Sequence, residues 1–192
     1  SRLIGVIRRN DSTRMAKMVE RMARIFAERG LRTDIDEHAV VEMIVRRHGS
    51  DRNTVYLQER HISQAFQEVL FAKVRPGERI ERLNRVLAAE TKAKHADDFV
   101  TMQNDIRSHL MKAGKPAFVE ETFVSFDDAY RLVLELGGIP CYPTLADGAS
   151  PICPFEQSPD ELVAEIKDRN IHAAEWIPVR NKVCVLREYA KL

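Results

Sequence analysis

Apolar residues recur at intervals of three and four through the first 114 positions, and the texture changes after Gly114. Met15, Met18, Val19, Met22, Ile25 and Phe26 fall on one face of a helix, which Gly30 can end and Asp11, Ser12 or Thr13 can cap. A second helix is expected from about Asp36, with Val40, Val41, Ile44 and Val45 inward and His48-Gly49 at its end. A third runs from about Val55 to Lys73 on Ile62, Phe66, Val69 and Leu70, and Pro76-Gly77 breaks it. From Glu78 to Gly114 there is no proline, and Leu83, Val86, Leu87, Phe99, Ile106 and Leu110 predict one or two further helices with these residues buried.

Beyond Gly114 the pattern alternates between short extended runs and helices. Phe118, Val119, Phe123 and Val124 read as extended, and Ser125 caps the helical spacing of "SFDDAYRLVLEL". Gly137-Gly138 then stops that helix before a strand-like Ile139-Pro140-Cys141-Tyr142. Ser158-Pro159-Asp160 opens another helix, followed by a strand candidate at Ile171 to Ile177. Strand, helix, strand, helix, strand predicts parallel βαβ units. The run Leu3 to Ile7 reads as one more strand of the same sheet. The expected organisation is therefore a core strand in 1–11, a helical insertion in 12–114 and an α/β core in 115–192.

Composition narrows the class without naming a partner. The 192 residues are 44% hydrophobic, enough for a sizeable core, and thirty basic against twenty-nine acidic side chains leave +1. Nothing in that balance calls for nucleic acid or a membrane surface, and no apolar run is long enough to span a bilayer. Cys141, Cys153 and Cys184 are odd in number and widely spaced, which favours a reducing, cytoplasmic compartment; Cys141 and Cys184 read as buried small hydrophobes. The missing initiator Met suggests an excised fragment.

The order "RMAKMVERMARIFAERGL", "RHISQAFQEVL", "GKPAFVEETFVSFDDAYRLVLELGGI" and "ELVAEIKDRNIHAAEWI" resembles the polymerase-and-histidinol-phosphatase (PHP) superfamily of metal-dependent phosphoesterases. The most specific part is Gly114-Lys115-Pro116-Ala117, a helix, then Gly137-Gly138-Ile139. The resemblance implies an α/β fold in which a partial distorted β/α barrel core carries an all-helical insertion that closes on substrate as a lid. It also implies hydrolysis of a phosphomonoester or phosphodiester, of a phosphorylated small molecule or nucleotide, with Mn, Zn, Fe or Mg as cofactor in the parent protein.

Two departures qualify that expectation. The family's His-x-His pair and its late acidic residue and histidine are missing, and His38, His48, His61, His95, His109 and His172 stand at no ligand spacing. This chain alone is therefore expected to bind no divalent metal tightly and to hydrolyse no phosphoester. Where the family has a histidine after the Gly-Gly strand, this chain reads Tyr142-Pro143-Thr144, which puts Thr144 at the ligand position and leaves Asp147 as a substitute.

The substrate-contact candidates each carry a plain structural reading as well. Arg60 and His61 sit where the resemblance implies a histidine at the start of a helix, a place where a cation and free backbone N–H groups suit a phosphate; otherwise His61 caps or packs the helix and Arg60 is solvated. Lys115 stands where the insertion returns to the core, as a phosphate contact or a surface charge. Glu175 and Arg180 lie near the last strand's end, where α/β proteins bind ligands or form ion pairs. A non-catalytic ligand- or protein-binding module with a degenerate metal site at Thr144 is the alternative function.

Overall fold

The computed structural model describes residues 2–144, 158–176, 182–184 and 187, and the chain divides into two units, residues 1–123 and 124–192. Helix α1 (Arg2–Glu28) opens the first unit and is followed by α2 (Glu37–His48), α3 (Glu59–Lys73), α4 (Arg79–Leu87) and α5 (Phe99–Ile106). Asp36 caps α2 by accepting the Ala39 N–H at 2.8 Å, and Gly49 ends it in a left-handed conformation, with its N–H on the Val45 carbonyl. These are the boundaries that the sequence pattern predicts.

Helix α3 packs against α2, α4 and α5, so its apolar face sits at the centre of the unit. Ile62, Phe66 and Leu70 on α3 are fully enclosed, as are Met18, Met22 and Phe26 on α1. The Phe26 and Phe66 rings meet tilted, with centroids 4.7 Å apart. Each fully buried side chain of this size contributes about 1.5–3 kcal/mol, so this packing, more than helix propensity, holds the unit. Two of the polar residues inside it, Asp105 and Gln67, are paired, whereas Thr33 Oγ1 is buried with no hydrogen-bond partner among the described residues. Asp105 accepts the Thr91 hydroxyl and the Lys92 N–H, each at 2.6 Å, which fixes the connection between α4 and α5. Gln103 donates to Gln67 at 2.8 Å and so links α5 to α3.

The second unit contains α6 (Phe126–Glu135), β1 (Cys141–Thr144), α7 (Pro159–Asp168) and β2 (Ala173–Trp176). Ser125 caps α6 by accepting the Asp128 N–H at 3.1 Å, and Ser158 caps α7 in the same way through Glu161 at 3.2 Å. Gly137 (φ 74°) stops α6, and the Gly138 N–H closes on the Val133 carbonyl at 2.8 Å. A Cβ at Gly138 would lie 3.0 Å from Val133 Cγ1, so both glycines have a structural role in the stop. Strands β1 and β2 are parallel, with Cys141 opposite Ala173 and Thr144 opposite Trp176, which is the predicted βαβ unit.

The expected barrel core is overturned. The described residues are mostly helical and hold two strands of four residues, paired only with each other. Leu3 to Ile7 belong to α1, which runs from Arg2 to Glu28 with no proline or Gly-Gly between them and Met15, although residues 8–14 are all polar. The cap expected at Asp11, Ser12 or Thr13 is mid-helix for the same reason. Phe118 and Val119 are not in a strand: Arg21 and Arg14 on α1 donate to their carbonyls, which a sheet neighbour would otherwise occupy. Phe99 is 52% exposed at the start of α5, not buried, since Asp98 caps the helix there and the first turn projects from the core. Cys141 and Cys184 are exposed, also against expectation, and Cys153 lies outside the described residues.

Candidate functional site

The start of α3 converges with two other parts of the first unit on a polar cleft of about 530 Å³. Helix α1 supplies Asp11 and Arg14, the first turn of α3 supplies Glu59 and Arg60, and Glu121 comes from the extended segment after Ala117. The remaining cations, Arg107 and Lys112, follow the end of α5. There the chain continues directly into a single π turn, Arg107–Met111, closed by the Lys112 N–H on the Arg107 carbonyl at 3.2 Å. A π turn adds a residue to the helical repeat and so changes the face on which later side chains emerge. The Ala117 N–H donates to the Leu110 carbonyl at 2.8 Å and ties the returning segment to this turn.

The charges in the cleft are unevenly paired. Glu59 receives Lys112 at 2.6 Å, Arg14 at 3.5 Å and Arg107 at 3.7 Å. Arg14 is well satisfied elsewhere, with Glu121 at 2.8 Å and the Val119 carbonyl at 3.0 Å. Arg107 is not: its Nε is buried with no hydrogen-bond partner among the described residues. Arg60 is exposed and donates through Nε to Gln58 Oε1 at 2.7 Å, with no carboxylate in ion-pair range among the described residues.

His61 has the capping role. Its Nδ1 accepts the Gln58 N–H at 3.2 Å, which requires an unprotonated Nδ1. Burial, followed by the charge of Arg60 and then of His48 and Arg47, holds the imidazole below its ordinary value, while a backbone hydrogen bond at Tyr56 acts the other way.

A second cleft of about 460 Å³ adjoins the first and shares Asp11, Arg14 and Glu121 with it. Its walls are more apolar, formed by Ile7, Tyr56 and Phe123 together with Asn10 and Arg8. The Arg8 guanidinium lies 4.9 Å from the Tyr56 ring centroid. A polar, cation-lined pocket thus runs into an aromatic one within the same unit.

The other sequence candidates fall elsewhere. Lys115 is exposed in the turn after the π segment, where its N–H donates to the Lys112 carbonyl at 2.9 Å, and it is Lys112 that lines the cleft. Thr144 ends β1 and the exposed Glu175 stands one register step earlier on β2, so both lie at the C-terminal end of the parallel pair. Asp147 and Arg180 lie outside the described residues. Arg14, Glu59, Arg107, Lys112 and Glu121 were not legible as site residues, because their contacts span from 45 to 107 positions along the chain and no local motif marks them.

Among the described residues no group of three or more His, Cys, Asp or Glu is placed to hold a metal ion, so the divalent metals implied by the resemblance find no fitting donor set there. No helix among them is long and apolar enough to cross a membrane. No family model, curated protein or solved structure matches the chain.

Proposed function

We propose that this chain is the substrate-binding part of a PHP-type metal-dependent phosphoesterase, with the helical unit taking the phosphate of a phosphomonoester or phosphodiester. The carrying observation is the cleft at the start of α3, where Arg60 is joined by Arg14, Arg107 and Lys112. A phosphate there would meet several charge-assisted donors and the positive end of α3. The adjoining aromatic cleft suits the organic part of a phosphorylated small molecule or nucleotide, with Tyr56 and Phe123 as flat apolar surfaces. The divalent metal, held by residues outside this described set, would supply the activated water; this chain's contribution is to bind and orient the phosphoryl group.

Arg60→Ala tests this in the metal-loaded parent protein. Losing a charge-assisted hydrogen bond costs about 1.5–3 kcal/mol, so phosphoester turnover falls roughly ten- to a hundredfold while metal content and melting temperature stay unchanged. Wild-type kinetics in the variant would remove Arg60 from the site. Phosphate binding by a parent protein that lacks hydrolysis would instead support the non-catalytic binding module.

A further inference from the structure

Glu59 is the one carboxylate shared by three cations in the cleft, and the sharing is incomplete. Lys112 takes one of its oxygens at 2.6 Å, but the nearest Arg107 nitrogen stays 3.7 Å away, beyond hydrogen-bonding distance. Arg107 Nε is enclosed with no acceptor among the described residues, a state that carries a real desolvation cost. Arg60 has no carboxylate partner on the same rim among the described residues. One carboxylate therefore stands where the surrounding donors call for an anion with more oxygens. Arg14, by contrast, is anchored to Glu121 and to the Val119 carbonyl and forms a fixed wall.

We propose that Glu59 is an internal counter-anion: its carboxylate holds the place between Lys112 and Arg107 that an oxygen of a bound phosphate takes, and ligand binding displaces it. This rests on reading the cleft as an anion site, and it adds how that site is kept closed. The lining carries four cations, Arg14, Arg60, Arg107 and Lys112, against Asp11, Glu59 and Glu121, a net of +1. With Glu59 swung out, the same four cations face two carboxylates, a net of +2 that favours a phosphate dianion. The displaced carboxylate gives up the Lys112 ion pair but, as the first residue of α3, remains beside the positive helix terminus, which offsets part of that loss. A phosphate offers acceptors on several oxygens at once, so it can reach Lys112, Arg60 and a rotated Arg107 together. The displacement sets a threshold: weakly charged anions cannot compete with Glu59, whereas a dianionic phosphate can.

Calorimetric titration of the 192-residue chain with inorganic phosphate at fixed ionic strength tests the proposal. Glu59→Gln is expected to bind phosphate about three- to tenfold more tightly than the wild-type chain, since the competing ion pair is gone. Glu59→Asp keeps the charge on α3 but is too short to hold Lys112 in the same way, and it is expected to tighten binding in the same direction. Urea unfolding of both variants confirms that the titrated protein is folded. If the wild-type chain binds phosphate and neither folded variant binds it more tightly, displacement is overturned while the anion cleft stands. If neither the wild-type chain nor the variants bind phosphate, both readings fall.

Discussion

In residues 1–123 twenty-five apolar side chains form one buried cluster, whereas among the described residues of 124–192 Leu162 is the one apolar side chain fully enclosed. The first unit is held by contacts between helices far apart in sequence. The second, as far as it is described, is held by local devices, the Ser125 and Ser158 caps and the Gly137-Gly138 stop, and by two polar longer-range ties, the β1–β2 pairing and the Tyr130 hydroxyl donating to the Asn170 carbonyl at 3.0 Å. A rigid packed scaffold is the better place to hold converging charges, and the cleft with its four cations lies in the packed unit.

The contrast is broken most forcefully in the core. Phe66→Ala removes a fully buried ring from the middle of α3 and should destabilise the helical unit by about 3–5 kcal/mol in urea unfolding followed by helical circular dichroism. A loss below about 1 kcal/mol would mean that the core yields easily and that packing is not what holds the cleft.

A smaller effect probes the second unit. Ser125→Ala removes the cap of α6 and should cost about 1 kcal/mol of local stability, read as faster amide exchange in residues 126–135 with residues 59–73 unchanged. Equal acceleration in α3 would show that the two sets of elements do not respond separately.

The smallest expected effect concerns pH. His61 has a folded-state pKa below its unfolded value near 6.5, so both states are neutral above that value and the cap's contribution is fully present there. As pH falls through about 6.5 the unfolded chain takes up the proton first, and stability is lost until the folded chain also protonates. Unfolding midpoints measured from about pH 7.5 down to 5.5 should therefore fall more steeply for the wild-type chain than for His61→Gln. Parallel curves would remove the Nδ1 cap from the account.

Much of the first unit was legible because its signals are local and repeated. The apolar period of α1, the Asp36 and Gly49 boundaries of α2 and the break at Pro76-Gly77 all follow from neighbours within a turn or two. Two strand signals failed for different reasons. Leu3 to Ile7 is apolar and β-branched in part, but with no proline or Gly-Gly to stop it the helix runs on through the polar stretch 8–14 as part of α1, and Phe118-Val119 surrendered its carbonyls to arginines about a hundred positions earlier. In the site, Arg60 and the capping alternative for His61 came from the position that the resemblance gives a histidine at a helix start, whereas the apolar pattern alone began this helix at about Val55, four residues before the Glu59 at which α3 starts. Lys112 and Arg107 were not visible, since a π turn changes the face of the helix without a sequence mark that periodicity can detect.

The central claim is that the anion site lies on the helical unit at the start of α3, not at the strand ends that carry Thr144 and Glu175. Titrating the isotopically labelled chain with inorganic phosphate and following backbone amide resonances tests it residue by residue. The account predicts saturable shifts at Glu59 to Ile62 and Arg107 to Lys112, with Cys141 to Thr144 and Ala173 to Trp176 unmoved. Saturable shifts confined to those two strands, or none anywhere at millimolar phosphate, would contradict it.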